Sequence, residues 1–109
     1  MITAVVQFEL TAGTSLEDAT AIFKSTAPRY LGMVGLIRKN YLFDPATGIG
    51  GGCYLFESQA AAEAIFNDEW RALIKEKYGA EPDVHFFETP VVVDNVSNEI
   101  VGSSSVAAK

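Results

Sequence analysis

Residues 1–10 alternate with a period of two. Ile2, Ala4, Val6, Phe8 and Leu10 fall on one face, while Thr3, Gln7 and Glu9 share the other with Val5. Only extended backbone puts every second residue on one side, so this segment reads as a half-buried strand whose apolar face needs a cover. Thr11-Ala12-Gly13 breaks the pattern, and the period then changes. Leu16, Ala19, Ile22, Phe23 and Ala27 recur at helical spacing, which predicts a helix from Leu16 toward Ala27. Thr14 stands three residues ahead of Glu17, and Ser15 three ahead of Asp18; either pair fits a capping box, and acidic residues there suit the helix dipole. Pro28 ends or kinks this helix, and Gly32 and Gly35 mark the exit.

The rest of the chain carries three more strands and a second helical region in two parts. Leu36 to Phe43 reads as a strand with Ile37, Tyr41 and Phe43 on its more apolar face. Asp44-Pro45-Ala46-Thr47-Gly48 has turn chemistry, and Gly51 to Glu57 completes a hairpin. The run Gly50-Gly51-Gly52 lacks a following Lys-Ser/Thr and precedes a strand, so it reads as a bulge or a close backbone approach and not as a phosphate loop. Ser58 is a fair N-cap for an Ala-rich helix from Gln59 to Phe66. Asn67-Asp68 interrupts it, and Trp70, Leu73, Ile74 and Tyr78 form a second helical stripe ending at Gly79. Val84 to Val93 is the last expected strand, with Val84 and Phe86 on one face and His85, Phe87, Val91 and Val93 on the other; Pro90 confines part of it to an edge or bulge. Residues 1–95 thus form the expected domain. Residues 96–109, with Gly102-Ser103-Ser104-Ser105, are expected to be a flexible or partner-wrapping tail.

Strand, helix, strand, strand, helix, strand is the ferredoxin-like βαββαβ order of an α+β fold: an antiparallel four-stranded sheet with both helices on one face. The other face is left bare, and the strands carry large apolar residues on both parities in places. Pairing sheet to sheet with a second copy covers such a face, so the expectation is a homodimer.

Composition limits the function classes. The chain has 109 residues, one domain's worth, with 49% hydrophobic and 20% charged residues, a globular balance. No apolar run reaches the roughly 18 residues of a membrane helix, and the start has no basic region of a signal peptide. Eight basic against 14 acidic residues give a net charge of −6, which disfavours nucleic acid and anionic membranes as partners. Cys53 is the only cysteine and His85 the only histidine, so no intrachain disulfide and no protein-built metal or haem site is expected. The expectation is a cytoplasmic domain working without metal or cofactor.

Three blocks carry a family resemblance. They are Gly35-Leu36-Ile37-Arg38-Lys39-Asn40-Tyr41-Leu42 with Gly51-Gly52-Cys53-Tyr54-Leu55-Phe56-Glu57-Ser58; Glu69-Trp70-Arg71 with Lys75-Glu76-Lys77-Tyr78-Gly79; and Phe87-Glu88 through Pro90-Val91-Val92-Val93-Asp94-Asn95. In this order they resemble the YdhR-type monooxygenase family, over about residues 2 to 95. The resemblance implies the dimeric α+β barrel superfamily, in which two ferredoxin-like protomers join their sheets. That superfamily includes antibiotic-biosynthesis monooxygenases, haem-degrading monooxygenases and muconolactone isomerases, so it speaks more strongly for architecture than for chemistry.

Cofactor-independent oxygenation needs little apparatus: a dry aromatic pocket, donors for a phenolate and a route for a proton. Tyr41 lies within the first block and offers a phenol to bound oxygen, or is a core tyrosine with its hydroxyl at the rim. Trp70 can donate its indole N–H to a ligand, or cap the core. Arg38 is a fixed cation for a phenolate, or a solvated or dimer-bridging side chain beside Lys39. His85 is a proton shuttle whose parity with Phe87 suits an enclosed site, or a structural histidine. Tyr54 lines the same cavity from the third strand, or only packs. Cys53 has no neighbour in sequence to make it a nucleophile.

The catalytic candidates are therefore Tyr41, His85 and Trp70, and the substrate-binding candidates Arg38, Tyr54 and Phe87. The favoured reading is a cofactor-independent monooxygenase of a planar phenol or hydroquinone-like aromatic. Haem degradation is disfavoured, because its axial histidine sits on a helix and His85 does not. Two alternatives stay open: a cofactor-free isomerase or dehydratase using a His85–Tyr41 acid–base pair, and a non-enzymatic small-molecule-binding or stress-linked dimer.

Overall fold

The structure, a computed structural model, describes residues 1–102. Strand β1 (Ile2–Glu9) is followed by helix α1 (Leu16–Thr26), a 3-10 turn (Ala27–Arg29), strands β2 (Leu36–Asp44) and β3 (Ile49–Phe56), helices α2 (Gln59–Ile65) and α3 (Asp68–Tyr78), and strand β4 (Asp83–Glu88). These four strands form one antiparallel sheet in the order β2-β3-β1-β4. This is the ferredoxin-like α+β arrangement that the changes of period require. The described residues contain no helix long and apolar enough to cross a membrane.

Local chemistry sets the element ends. Of the two capping registers open in sequence, α1 uses the second. The Ser15 hydroxyl accepts from the Asp18 amide at 3.0 Å and the Asp18 carboxylate accepts from the Ser15 amide at 3.3 Å. Thr14 instead donates to the Thr11 carbonyl at 2.7 Å, closing the preceding turn. Asn67, which reads in sequence as an interruption, is the cap of α3, its side chain accepting from the Trp70 amide at 2.9 Å. The chain thus redirects there without losing a helix.

The alternation of β1 fixes the core. Ile2, Ala4, Val6 and Phe8 are all buried, and their neighbours on the same sheet face include Tyr54 and Phe56. Ala19 and Phe23 of α1, Ala62 of α2, and Trp70, Ile74 and Tyr78 of α3 close over them. The glycine run is a close backbone approach, as its chemistry suggested. Gly51 has φ +154°, and a Cβ there would lie 1.8 Å from the Val6 carbonyl oxygen. A Cβ on Gly52 would meet Tyr54 at 3.0 Å and the Lys39 side chain at 3.2 Å, so this glycine makes room for a lysine on the helix side of the sheet.

The C-terminal region differs from the expected single strand. β4 stops at Glu88, where the Thr89 amide donates to the Met1 carbonyl at 2.9 Å and Pro90, lacking an N–H, ends the ladder. The chain leaves the sheet, and Val91–Asp94 (β5) pairs with Glu99–Gly102 (β6) as a separate two-stranded hairpin. The boundary expected after Asn95 falls inside its turn, and residues 103–109 of the expected tail lie outside the described residues. The hairpin exposes Val91, Val93, Val96 and Ile100, and the molecule measures 49 × 30 × 23 Å.

Candidate active site

β2 lies at a sheet edge, and its register decides what meets the helices. A bulge between Leu36 and Arg38 shifts the pairing, after which Lys39 stands opposite Tyr54, Tyr41 opposite Gly52 and Phe43 opposite Gly50. Cross-strand partners share a face, so Lys39 shares the helix-covered side with Tyr54. Ile37, at the bulge, is half exposed instead.

The result is an amine caged by phenol rings. Lys39 Nζ lies 3.5 Å from the ring centroid of Tyr30, 3.8 Å from that of Tyr41 and 4.6 Å from that of Tyr54. Each ring is held from behind. Tyr30 Oη accepts from the buried Trp70 Nε1 at 3.1 Å. Tyr41 stacks on Phe23 with centroids 4.7 Å apart and shares a 2.7 Å hydrogen bond with the Thr26 hydroxyl. Tyr54 packs edge-on against Phe66, with centroids 5.0 Å apart.

The electrostatics follow from burial. Among the described residues, no carboxylate lies within salt-bridge distance of Lys39. Desolvation of the ammonium lowers its pKa to about 7. The ring faces oppose this shift, because their negative quadrupoles favour the cation. Burial moves the phenols the other way: Tyr78 rises to about 12, and Tyr54 and Tyr41 rise as well, with the Thr26 hydrogen bond working against the rise at Tyr41. At neutral pH these three phenols keep their protons while Lys39 titrates among them.

Phe8, Thr26, Tyr30, Lys39, Tyr41, Tyr54 and Tyr78 line a cavity of about 10 Å³, room for a single water-sized sphere. Two surface grooves flank it and share Tyr41. One, of about 390 Å³, runs between α1 and β2 past Leu16, Thr20, Phe23 and Phe43. The other, of about 270 Å³, runs between the 3-10 turn and β2 past Leu31, Leu36, Arg38 and Lys39. Small-molecule sites begin at about this size.

The structure brings together some of the residues singled out in sequence and separates others. Tyr41 and Tyr54 touch the cage, and Trp70 supports it through Tyr30. Arg38 is on the rim of the smaller groove, 3.6 Å from Asp94 of the hairpin. The Asp94 carboxylate is held below its usual range mainly by the backbone amides of Ser97 and Val96, with Arg38 contributing least.

His85 stands opposite Val5 and Phe87 opposite Thr3, on the sheet face that the helices do not cover. His85 parity matches Phe87 as read, but that face is open, and Phe87 is 56% exposed. His85 Nε2 is 3.0 Å from the Asp83 carboxylate. A His85–Tyr41 pair is therefore not formed, because the sheet lies between the two.

Lys39, Tyr30, Tyr78 and Thr26 were missed in sequence. Lys39 had a signal: it shares parity with Tyr41 and Phe43 on a strand whose hairpin partner carries a glycine run. Tyr30 had none, since it follows the 3-10 turn in a segment without periodicity.

No protein-family model matches the chain, and no curated protein matches it. Solved structures do. A protein of unknown function from Nitrosomonas europaea, NE2512, superposes with a TM-score of 0.65 at 18% identity, covering 81% of this chain and 87% of that one. An antibiotic biosynthesis monooxygenase gives 0.61 at 10% identity, covering 82% and 98%. A mutant of SnoaB, a cofactor-independent oxygenase from Streptomyces nogalater, gives 0.61 at 13% identity, covering 86% and 97%. At these identities the likeness establishes the fold alone, a ferredoxin-like α+β arrangement that these structures share with the chain.

Proposed function

We propose that this chain is a cofactor-independent monooxygenase of a small planar phenol or hydroquinone-like aromatic, and that it works as a homodimer. The observation that carries the reading is the Lys39 amine, with no carboxylate in salt-bridge distance among the described residues and walled by tyrosines beside a groove of about 270 Å³. The fold shared with a cofactor-independent oxygenase and the YdhR-type sequence blocks support it.

The chemistry follows from the site. A ring bound in the groove lies against Leu31 and Leu36 beside Lys39, and its acidic O–H or activated C–H gives a proton to neutral Lys39. The ammonium so formed stays beside the substrate anion and stabilises it at low dielectric. That anion is electron-rich enough to pass an electron to O2, and the two radicals combine to a peroxide. Lys39 returns the proton as water leaves. For a methylene between two aromatic rings the balance is CH2 plus O2 giving C=O plus H2O, with all four electrons taken from the substrate. Tyr41 and Tyr30 hold the anion and exclude water, and Trp70 keeps Tyr30 in place.

Dimer formation buries the open sheet face with Val5, Leu55 and Phe87. Sedimentation of the full chain is expected to give twice the monomer mass. A monomer at micromolar concentration overturns the dimer.

Oxygen consumption by chelator-treated protein, with hydroquinones and anthrone-like phenols, tests the activity. Uptake above the uncatalysed rate, lost in Lys39→Met and reduced in Tyr41→Phe, is the expected result. Tight binding of the same compounds without uptake would favour the non-enzymatic binding protein instead.

A further inference from the structure

The Lys39 amine is chemically distinct from the other lysines in the described chain. Lys24, Lys75 and Lys77 lie on helices, and Lys75 pairs with Glu81 at 3.3 Å. Lys39 comes from a strand, is half-buried, and has phenol rings where an ion-paired lysine has a carboxylate. It also lines both the small enclosed cavity and the adjoining groove of about 270 Å³, so a ligand in the groove meets this side chain. Amines with these surroundings are activated as nucleophiles, because an unpaired ammonium in an apolar pocket gives up its proton readily.

We propose that Lys39 is a carbonyl-trapping nucleophile that condenses with small aromatic aldehydes or ketones admitted through the groove between the 3-10 turn and β2. The Nζ lone pair forms a C–N bond to the carbonyl carbon while the C=O π pair moves to oxygen. Nitrogen loses a proton and oxygen gains one, giving a carbinolamine. The hydroxyl then leaves with a proton as water and a C=N bond remains. Nothing is oxidised or reduced, and the only by-product is one water. Leu31 and Leu36, which line the groove with Lys39, supply the apolar surface against which an aromatic carbonyl compound lies.

The lowered pKa, about 7, sets the expected pH range. At pH 7 about half of Lys39 is neutral, against roughly one part in a few thousand for an ordinary lysine. The groups facing it are Thr26 from α1, Tyr30 after the 3-10 turn, Tyr41 from β2, Tyr54 from β3, and Lys77 and Tyr78 from α3, all of which line the same cavity. None is a carboxylate that would hold the ammonium. This activity is independent of oxygen, so it stands or falls apart from the oxygenase reading.

The test is reductive trapping. The full chain is incubated anaerobically with benzaldehyde and cyanoborohydride at pH values from 6 to 9, then digested and mapped by mass spectrometry. The expected result is benzylation of Lys39 at least about tenfold faster than of Lys24 or Lys75 in the same molecules at pH 7, with the advantage shrinking toward pH 9 as the other amines lose their protons. Tyr30→Leu, which opens the cage to water, is expected to cut the advantage severalfold with the helical circular dichroism unchanged. Labelling of Lys39 no faster than of the helix lysines overturns the proposal, as does an advantage that survives Tyr30→Leu intact. Oxygen uptake with no Lys39 labelling overturns this inference alone.

Discussion

The two faces of the four-stranded sheet carry similar residue types and do different things with them. On the covered face, Lys39, Tyr41 and Tyr54 are locked by Trp70, Phe23 and Phe66, and the lysine loses its water. On the open face, Arg38, His85 and Phe87 keep theirs: His85 finds only the neighbouring Asp83, and Arg38 a distant carboxylate at 3.6 Å. A single residue of strand register separates these environments, because successive side chains alternate between faces. The lesson is that a chemical group on this sheet is defined by its parity as much as by its type.

The largest effects should fall on the β1–β3 backbone pairing and then on the covered side. Gly51→Ala puts a Cβ against the Val6 carbonyl, and no side-chain adjustment relieves a backbone clash. A loss of about 4 kcal/mol or more in urea unfolding is expected, in the tail for single substitutions. Stability near wild type would show that β1 and β3 are less closely paired than described. Trp70→Ala, at a residue 1% exposed, should cost about 3–5 kcal/mol. Phe87→Ala, on the open face, should change unfolding of the isolated protomer by no more than about 0.5 kcal/mol while weakening self-association in sedimentation. Equal costs for the two would erase the contrast between the faces.

A pH series sharpens the comparison further. Folding lowers the Lys39 pKa from 10.5 to about 7, so between those values the unfolded chain binds a proton that the folded chain does not. Stability therefore rises with pH through this window, and below about pH 7 the full penalty of burying the ammonium is present. Burial raises the pKa of Tyr78, Tyr54 and Tyr41, which reverses the slope above about pH 10, where unfolded tyrosines ionise first. From pH 7 to 9 the gain should be on the order of 1–2 kcal/mol, the ring faces offsetting part of it. Lys39→Met should flatten that rise in urea titrations, whereas Lys75→Met should leave it unchanged. A smaller effect comes from Tyr41→Phe, which removes the hydroxyl bound to Thr26 and should cost about 1 kcal/mol in thermal unfolding.

Much of this fold is legible in the sequence. Periodicity located β1 and the helical stripes, and the polar caps Ser15 and Ser58 lie where the sequence placed them. Register and long-range contact were not legible. The β2 bulge moves Ile37 off the covered face, and no residue type announces a bulge there. Pro90 signalled a break, but the pairing of 91–94 with 99–102 depends on a hairpin read in sequence as tail. Tyr41, Tyr54 and Trp70 could be found because aromatic residues in strands and helical stripes draw attention. Lys39 does not stand out, because an isolated lysine next to an arginine reads as solvated, although its parity with Tyr41 points inward. Tyr30 reaches the cage only through tertiary packing, across 40 residues from Trp70.

The central claim is that the Lys39 amine acts as the base for substrate ionisation in the tyrosine cage. It is tested most directly by the pH dependence of kcat/KM for oxygen consumption in the wild type and in Lys39→Met. A base at Lys39 gives a wild-type rate that climbs with pH to a plateau, with its midpoint near the Lys39 pKa of about 7, and a variant at least about a hundredfold slower that lacks this midpoint. A variant that retains both the rate and the midpoint would contradict it and place the base elsewhere.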